Sequence, residues 1–337
     1  MTTNFFSDWL QRQWYESKPP IGMVPFSVLF CGAVAIRRLA YAKQWKKAER
    51  LPVPVIVVGN LTVGGTGKTP LTIWLVEFLT QCGFKPGVVS RGYGGSNLDK
   101  PTAVHPDSDP REVGDEPVLI ARRTGCPVTV FPRRAEAGRA LLAETACDIL
   151  IADDGLQHYG LARDVEIAVV DAERRFGNGQ CLPAGPLREP VGRLAEVDLI
   201  VCRGVACENE FSLTLSLGDA VNLANANLHR PLDSFIGVQP LVAIAGIGHP
   251  GRFFAELRQA GLKFEERAFP DHHRFTPDDL NFGDQATVLM TEKDAVKCRS
   301  FANERFWNVP LQGYLPVAFG EKLIRLLKVG HDGQKTA

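Results

Sequence analysis

Residues Gly64-Gly65-Thr66-Gly67-Lys68-Thr69 follow closely on the apolar run Val55-Ile56-Val57-Val58-Gly59. These residue types in this order suit phosphate. Glycines let backbone N–H groups close around phosphate oxygens, and Lys68 can reach the β- and γ-phosphates of a nucleotide. Thr69, at the start of the next helix, is placed to bind Mg²⁺. A second chemical group is Asp153-Asp154, two acids that end the apolar run Asp148-Ile149-Leu150-Ile151-Ala152. A carboxylate beside a phosphate loop positions Mg²⁺ directly or through water, so Thr69, Asp153 and Asp154 form the expected metal set.

Other titratable residues are less specific on pattern alone. Asp115, in Gly114-Asp115-Glu116-Pro117, follows a stretch rich in Gly, Pro and Asp, and could take a proton from an attacking hydroxyl if the fold carries it to the phosphate. On pattern it is equally a loop acid or a helix N-cap. Asp271-His272-His273 is a dense cluster after a strand, equally compatible with a solvated turn. It also resembles a manganese phosphoesterase motif, but the further aspartate clusters of that family are missing. Lys293 in Thr291-Glu292-Lys293-Asp294 could reach a cleft. Arg188, in the rigid loop Leu182 to Glu189, could neutralise a phosphate.

These residues need elements to hold them at strand ends. Helical spacing follows the glycine-rich loop in Leu71, Trp74, Leu75, Phe78 and Leu79, with Gly83 as a stop. Short apolar runs at 85–90, 126–131, 148–152, 165–171 and 197–202 read as strands, and 133–147 as an amphipathic helix. This alternation predicts an α/β fold of P-loop NTPase type, a mostly parallel sheet with helices on both faces, whose ligands collect at the carboxyl ends of the strands. Phe211 to Leu217 alternates strictly and predicts a half-exposed antiparallel strand in a connecting ribbon. Strands at 241–244 and 286–289, with helices near 252–261 and 321–328, predict a smaller C-terminal α/β lobe. The expected divisions are 1–50 as a membrane-associating segment, 51–205 as the core, 206–235 as linker ribbon and 236–330 as the closing lobe.

The chain has 337 residues, enough for two well-buried lobes, and its 38 basic residues equal its 38 acidic ones. That balance gives no reason to expect nucleic acid as a partner. Eight scattered cysteines, without C-x-x-C spacing, suit a reduced cytosolic protein and argue against a structural metal. The apolar run from Ile21 to Ile36 covers about sixteen residues with Pro25 inside it, short of the roughly twenty a bilayer span needs. Asp8 and Glu16 before it, and the absence of a small-residue cleavage pattern, argue against a signal peptide. Phe5, Phe6, Trp9, Trp14 and Tyr15 precede it, and Arg37, Arg38, Lys43, Lys46, Lys47 and Arg50 follow with one acid, Glu49. The pattern suits a helix lying on a membrane surface among anionic lipids, or one packed on the protein's own core, or both at once.

Taken together, the motifs from Gly59 to Pro70, Ser90 to Gly94, Gly114 to Pro117, Asp153 to His158, Leu182 to Glu189, Asp271-His272 and Thr291 to Asp294 closely resemble the tetraacyldisaccharide 4′-kinase family, from the N-terminal segment to about residue 300. The resemblance implies transfer of the γ-phosphate of ATP to the 4′-hydroxyl of a tetraacyldisaccharide 1-phosphate in lipid A biosynthesis. It implies a peripheral enzyme, expected to be a monomer, on the cytoplasmic face of the inner membrane. By the same carry-over Asp115 is the base, His272 pairs with it, and Lys68 with the loop amides stabilises the transferring group beside Mg²⁺. The competing reading is a membrane-recruited P-loop switch ATPase, because the loop is near the G-G-x-G-K-T form of dimerising ATPases. Val63 stands where that form usually has a second lysine. A soluble P-loop kinase or ligase acting on a small metabolite is a further alternative.

Overall fold

Alternate residues of a strand point to opposite faces of its sheet, and a strand apolar at every position must be covered on both. Val55–Gly59 (β1) is such a strand. In the computed structural model, which describes residues 5–15, 19–96 and 98–334, Ile56 and Val58 enter one core and Val55 and Val57 the other. Two N-terminal helices precede it, Phe5–Tyr15 (α1) and Val24–Ala42 (α2). Lys68–Gln81 (α3), Pro86–Ser90 (β2), Thr102–Val104 (β3), Pro110–Val113 (α4), Asp115–Thr124 (α5), Val128–Val130 (β4), Arg134–Glu144 (α6), Ile149–Ala152 (β5), Val165–Asp171 (β6) and Leu199–Arg203 (β7) follow. The strands and helices read from the sequence are therefore present, with ends shifted by a few residues.

The first sheet has nine strands in the order β15-β8-β7-β6-β1-β5-β2-β4-β3, where β8 is Phe211–Leu217 and β15 is Leu311–Tyr314. Pairing is parallel from β8 to β4 and antiparallel at both edges. β1 lies centrally, between β5 and β6, so the loops leaving β1, β5 and β6 share one crevice. The second sheet contains Ala220–Asn222 (β9), His229–Arg230 (β10), Leu241–Ala245 (β11), Glu265–Ala268 (β12), Thr287–Thr291 (β13) and Phe306–Val309 (β14). Its order is β10-β9-β14-β13-β11-β12. Helices Pro250–Gln259 (α7) and Glu292–Cys298 (α8) belong to it.

Two expectations change at the lobe boundary. The strand read as linker, Phe211–Leu217, is parallel to β7 and antiparallel to β15, so it is part of the large sheet. Its alternation reflects an outlying strand with one covered face. The last helix, Val317–Gln334 (α9), which the sequence assigns to the small lobe, packs on the large one. Phe319, Leu323 and Leu327 join the core of α3, and the Phe319 ring meets Trp74 and Phe211 edge-on. Burying Phe319 fully contributes about 2–3 kcal/mol, which favours that return. The chain thus crosses between lobes twice, at 218–219 and at 310.

The N-terminal apolar helix is longer than the sixteen-residue reading. Ile21–Ala42 is continuous for 22 residues, long and apolar enough to cross a membrane by length and composition alone. Pro25 does not interrupt it because it falls in the first turn, where no intrahelical N–H is needed. One face is docked on protein: Ser27 donates to Cys181 O at 2.8 Å, and Phe30 and Cys31 pack on the core. Phe26, Val28, Leu29 and Ile36 on the remainder are more than 60 % exposed. Ahead of it, the Trp14 indole donates to Pro183 O at 3.0 Å. Glu16 lies outside the described residues.

Candidate active site

The phosphate loop is held by its own side chains before any ligand arrives. Asn60 Nδ2 donates to Thr62 O at 2.8 Å, while its Oδ1 accepts from Lys68 Nζ at 3.0 Å. Lys68 opens α3 and Thr69 is its second residue; Gly67, at φ +98°, precedes it as N-cap. Gly64 and Gly65 are exposed and Thr66 is buried with its hydroxyl unpartnered among the described residues. The Leu182–Glu189 loop pairs with this segment: Val63 N donates to Pro186 O at 2.8 Å and Arg188 N to Leu61 O at 2.6 Å. Since Ser27 bonds Cys181 O just before this loop and Trp14 bonds Pro183 O within it, the N-terminal helices and the phosphate loop are braced by one segment.

Asp153 and Asp154 follow β5 directly beside β1. The turn they begin presses on the phosphate strand so closely that a methyl group on Gly59 would lie 2.5 Å from Leu156 Cβ. Asp154 lies 3.4 Å from Lys68 Nζ and 3.1 Å from Arg188 Nη1. Burial raises its pKa, but Lys68 and Arg188 outweigh that and hold it below the usual range. Asp153 is different. It accepts from Thr72 Oγ1 at 3.0 Å through one oxygen, and its other oxygen is buried without a partner among the described residues. Burial, then the nearby carboxylates of Glu116 and Asp154, push it up to about 7. A buried carboxylate oxygen with no donor is costly, and a hard divalent cation with its water shell satisfies it. The donor set therefore fits Mg²⁺.

The second cluster is assembled from three distant segments. Asp115 stands in the first turn of α5, 4 % exposed, under the Arg91–Gly95 loop. Only glycine fits before it: Gly114 has φ +92°, and a methyl there would lie 2.7 Å from Tyr93 O. From the other lobe, His272 Nδ1 approaches Asp115 Oδ2 to 3.0 Å, with the residue at φ +59°, uncommon outside glycine. Lys293, near the start of α8, donates to Glu116 at 3.1 Å and to Asp271 at 3.4 Å and lies 4.0 Å from Asp115. Burial opposes ionisation of Asp115, yet the His272 hydrogen bond and the Lys293 charge leave its pKa lowered. The same bond, against burial, raises that of His272. Lys293 is raised because Glu116, Asp115 and Asp271 outweigh its burial. The result is an ionised, buried carboxylate oriented by a histidine, which can accept a proton from a hydroxyl presented to it.

His273, adjacent to His272, turns away to Asp279 Oδ2 at 3.2 Å. Several participants carry no sequence motif of their own. Thr72 sits one helical turn after Lys68, a spacing that puts both on one side of α3. Tyr159, just past the Asp153–His158 motif, gives its hydroxyl to Glu189, which also accepts from Gln157 at 3.2 Å. Arg134, at the start of α6, donates to Asp154 O at 3.4 Å and is nearly buried. Nothing local in the sequence distinguishes it from other helix arginines.

Comparison with known proteins agrees with this arrangement. The family described as Tetraacyldisaccharide-1-P 4′-kinase matches residues 20–328. The tetraacyldisaccharide 4′-kinase of Nitrosococcus oceani is 52 % identical over 324 residues, covering 96 % of this chain and 95 % of that protein. That of Methylobacillus flagellatus is 49 % identical over 325 residues, covering 96 % of each. A crystal structure of LpxK from Aquifex aeolicus, described as an "apo" form in complex with ATP, superposes with a TM-score of 0.77 at 28 % identity, covering 91 % of this chain and 98 % of that one. By the extent of these matches, the chain belongs to the tetraacyldisaccharide-1-P 4′-kinase family.

Proposed function

We propose that this protein transfers the γ-phosphoryl group of ATP to the 4′-hydroxyl of a tetraacyldisaccharide 1-phosphate, a step of lipid A biosynthesis. The observation that carries the reading is the buried Asp115–His272 pair, built across the cleft from the phosphate-loop lobe. Asp115 accepts the proton of the sugar hydroxyl as its oxygen bonds to the γ-phosphorus and the bond to the ADP oxygen breaks. His272 orients the carboxylate, and the same contact raises the histidine's pKa. Lys68 and the N–H groups of residues 64–69 stabilise the charge on the transferring group, in a site where fixed donors need no reorganisation. Thr69, Asp153 and Asp154 would hold Mg²⁺, which when bound neutralises phosphate charge. The buried unpartnered Asp153 oxygen supports that assignment.

The lobes take separate tasks in this reading. The large sheet with α9 holds the nucleotide, and the lobe from about 220 to 309 closes over it. Closure excludes water, which otherwise intercepts the γ-phosphate. The acceptor carries four acyl chains and stays in a bilayer, so the enzyme must come to it. Exposed Phe26, Val28, Leu29 and Ile36 on α2, with Trp45 and the basic run to Arg50 after it, support a peripheral seat on the cytoplasmic face of the inner membrane. A monomer suffices, since both parts of the site come from one chain.

The test is transfer of labelled γ-phosphate from ATP with Mg²⁺ to a tetraacyldisaccharide 1-phosphate in detergent micelles, with Lys68→Ala as control. Label in the lipid that disappears in the control supports the kinase. Hydrolysis of ATP with no labelled lipid supports the switch ATPase. Carbonate extraction of membranes separates a peripheral protein, which is released, from one that α2 anchors across the bilayer.

A further inference from the structure

Among the described residues, side-chain pairs join the two lobes on both flanks of the phosphate loop. One set is the Asp115–His272–Lys293 cluster, reached from the β5 side of β1, and beside it Arg123 of α5 also meets Glu292 of α8 at 2.8 Å. The other lies on the β6 side and contains none of the groups that act on phosphate or hydroxyl. There Arg252, in the first turn of α7, forms a two-pronged pair with Asp171 at the end of β6, Nη1 to Oδ2 at 2.6 Å and Nη2 to Oδ1 at 3.1 Å, and also binds Glu173. Asp171 is 2 % exposed and is fixed by the backbone N–H groups of Glu173 and Arg174, at 3.1 and 3.0 Å. A buried, pre-oriented carboxylate meeting a planar guanidinium with both oxygens is the strong form of this interaction.

The strand beside this anchor passes the phosphate loop. Asp171 pairs in register with Arg203 of the neighbouring strand β7. The aliphatic part of Arg203 runs along Gly67, where an added methyl would meet its Cδ at 3.4 Å. The guanidinium from the small lobe therefore docks one strand away from the wall of the loop that ends in Lys68.

We infer that Arg252 is a positioning residue for this reaction: its pair with Asp171 and Glu173 latches the lobes closed and keeps His272 and Lys293 seated on Asp115 while water is excluded. This rests on the kinase reading and extends it. The latch acts through closure, so losing it shifts the lobes toward an open form without removing any group that binds the nucleotide phosphates.

The experiment compares lipid phosphorylation and total ATP hydrolysis, at saturating ATP with Mg²⁺ and lipid, for the full-length enzyme and for Arg252→Gln. The latch predicts that transfer falls about tenfold or more while ATP affinity stays within about threefold, and that ATP hydrolysed per lipid phosphorylated rises severalfold. A purely structural role would reduce both outputs together and leave that ratio unchanged. Asp171→Asn, which keeps an acceptor for the two backbone N–H groups, should reproduce the effect, and combining both changes should be no worse than either alone. Arg252→Lys should fall between, because it keeps the charge and loses the fork. Arg252 is only partly covered on its helix, so its variants are expected to fold. An unchanged ratio of hydrolysis to transfer, or additive losses in the double variant, would overturn the latch while leaving the kinase intact. A wild-type enzyme that labels no lipid would instead overturn the kinase reading, and the latch with it.

Discussion

The phosphate loop and the Asp115 cluster are built in opposite ways. The first lies within one stretch, residues 59–69, held by the local contacts Asn60 to Thr62 and Asn60 to Lys68 and by the 182–189 loop of the same lobe. The second joins Asp115, His272 and Lys293, and the Asp115–His272 hydrogen bond spans 157 residues of sequence and two lobes. A site of local contacts survives lobe opening. A site made of partners from both lobes exists only when they meet. On the proposed reading, this division lets ATP bind before the proton acceptor is assembled.

Four changes would break or sharpen that contrast. The largest effect is expected from Asp115→Asn, which removes the proton acceptor and nearly preserves shape. Transfer should fall about 10³-fold, read as kcat under saturating substrates. Lys68→Ala should cost about 10² to 10³-fold in transfer and, unlike the first change, also weaken ATP binding measured by equilibrium titration.

His272→Gln comes next, with a loss of about tenfold and a characteristic displacement in pH. His272 holds the Asp115 pKa down, so removing it should move the acidic limb of kcat/KM to higher pH. Stability carries the matching signature. The contribution of Asp115, whose folded pKa is lowered, is present above about 3.9 and lost as pH falls through its folded value; that of His272, whose folded pKa is raised, is full below about 6.5 and lost as pH rises through its folded value. The pair therefore stabilises most between about pH 4 and 6.5, and a plot of Tm against pH should flatten there in His272→Gln. The smallest effect on chemistry belongs to Gly59→Ala, where the clash with Leu156 should cost about 1–3 kcal/mol in urea unfolding and leave the pH profile unmoved.

The same contrast explains what was legible in the sequence. Glycine, lysine and threonine in order, after an apolar strand, announce a phosphate loop because its function depends on adjacent backbone groups. Strands buried on both faces announce a parallel sheet through continuous apolar runs such as Val55–Gly59 and Ile149–Ala152. Asp115 could not be told from an ordinary helix-start acid by its neighbours, since its partner arrives from the other lobe. Only the resemblance of the ordered motifs to a family raises it above that reading. The return of α9 to the first lobe left no local mark either: amphipathic spacing states that a helix has a buried face, not which core receives it. Arg252 escaped for the same reason, as its carboxylate partner lies 81 residues away in the sequence.

The most direct test of a two-part site is to measure ATP binding and lipid phosphorylation on the same preparation of Asp115→Asn. We expect ATP affinity within about threefold of wild type and transfer reduced about 10³-fold, binding and chemistry coming apart at one residue. Near-normal transfer in that variant would contradict the account, because Asp115 would then not be the group that takes the proton.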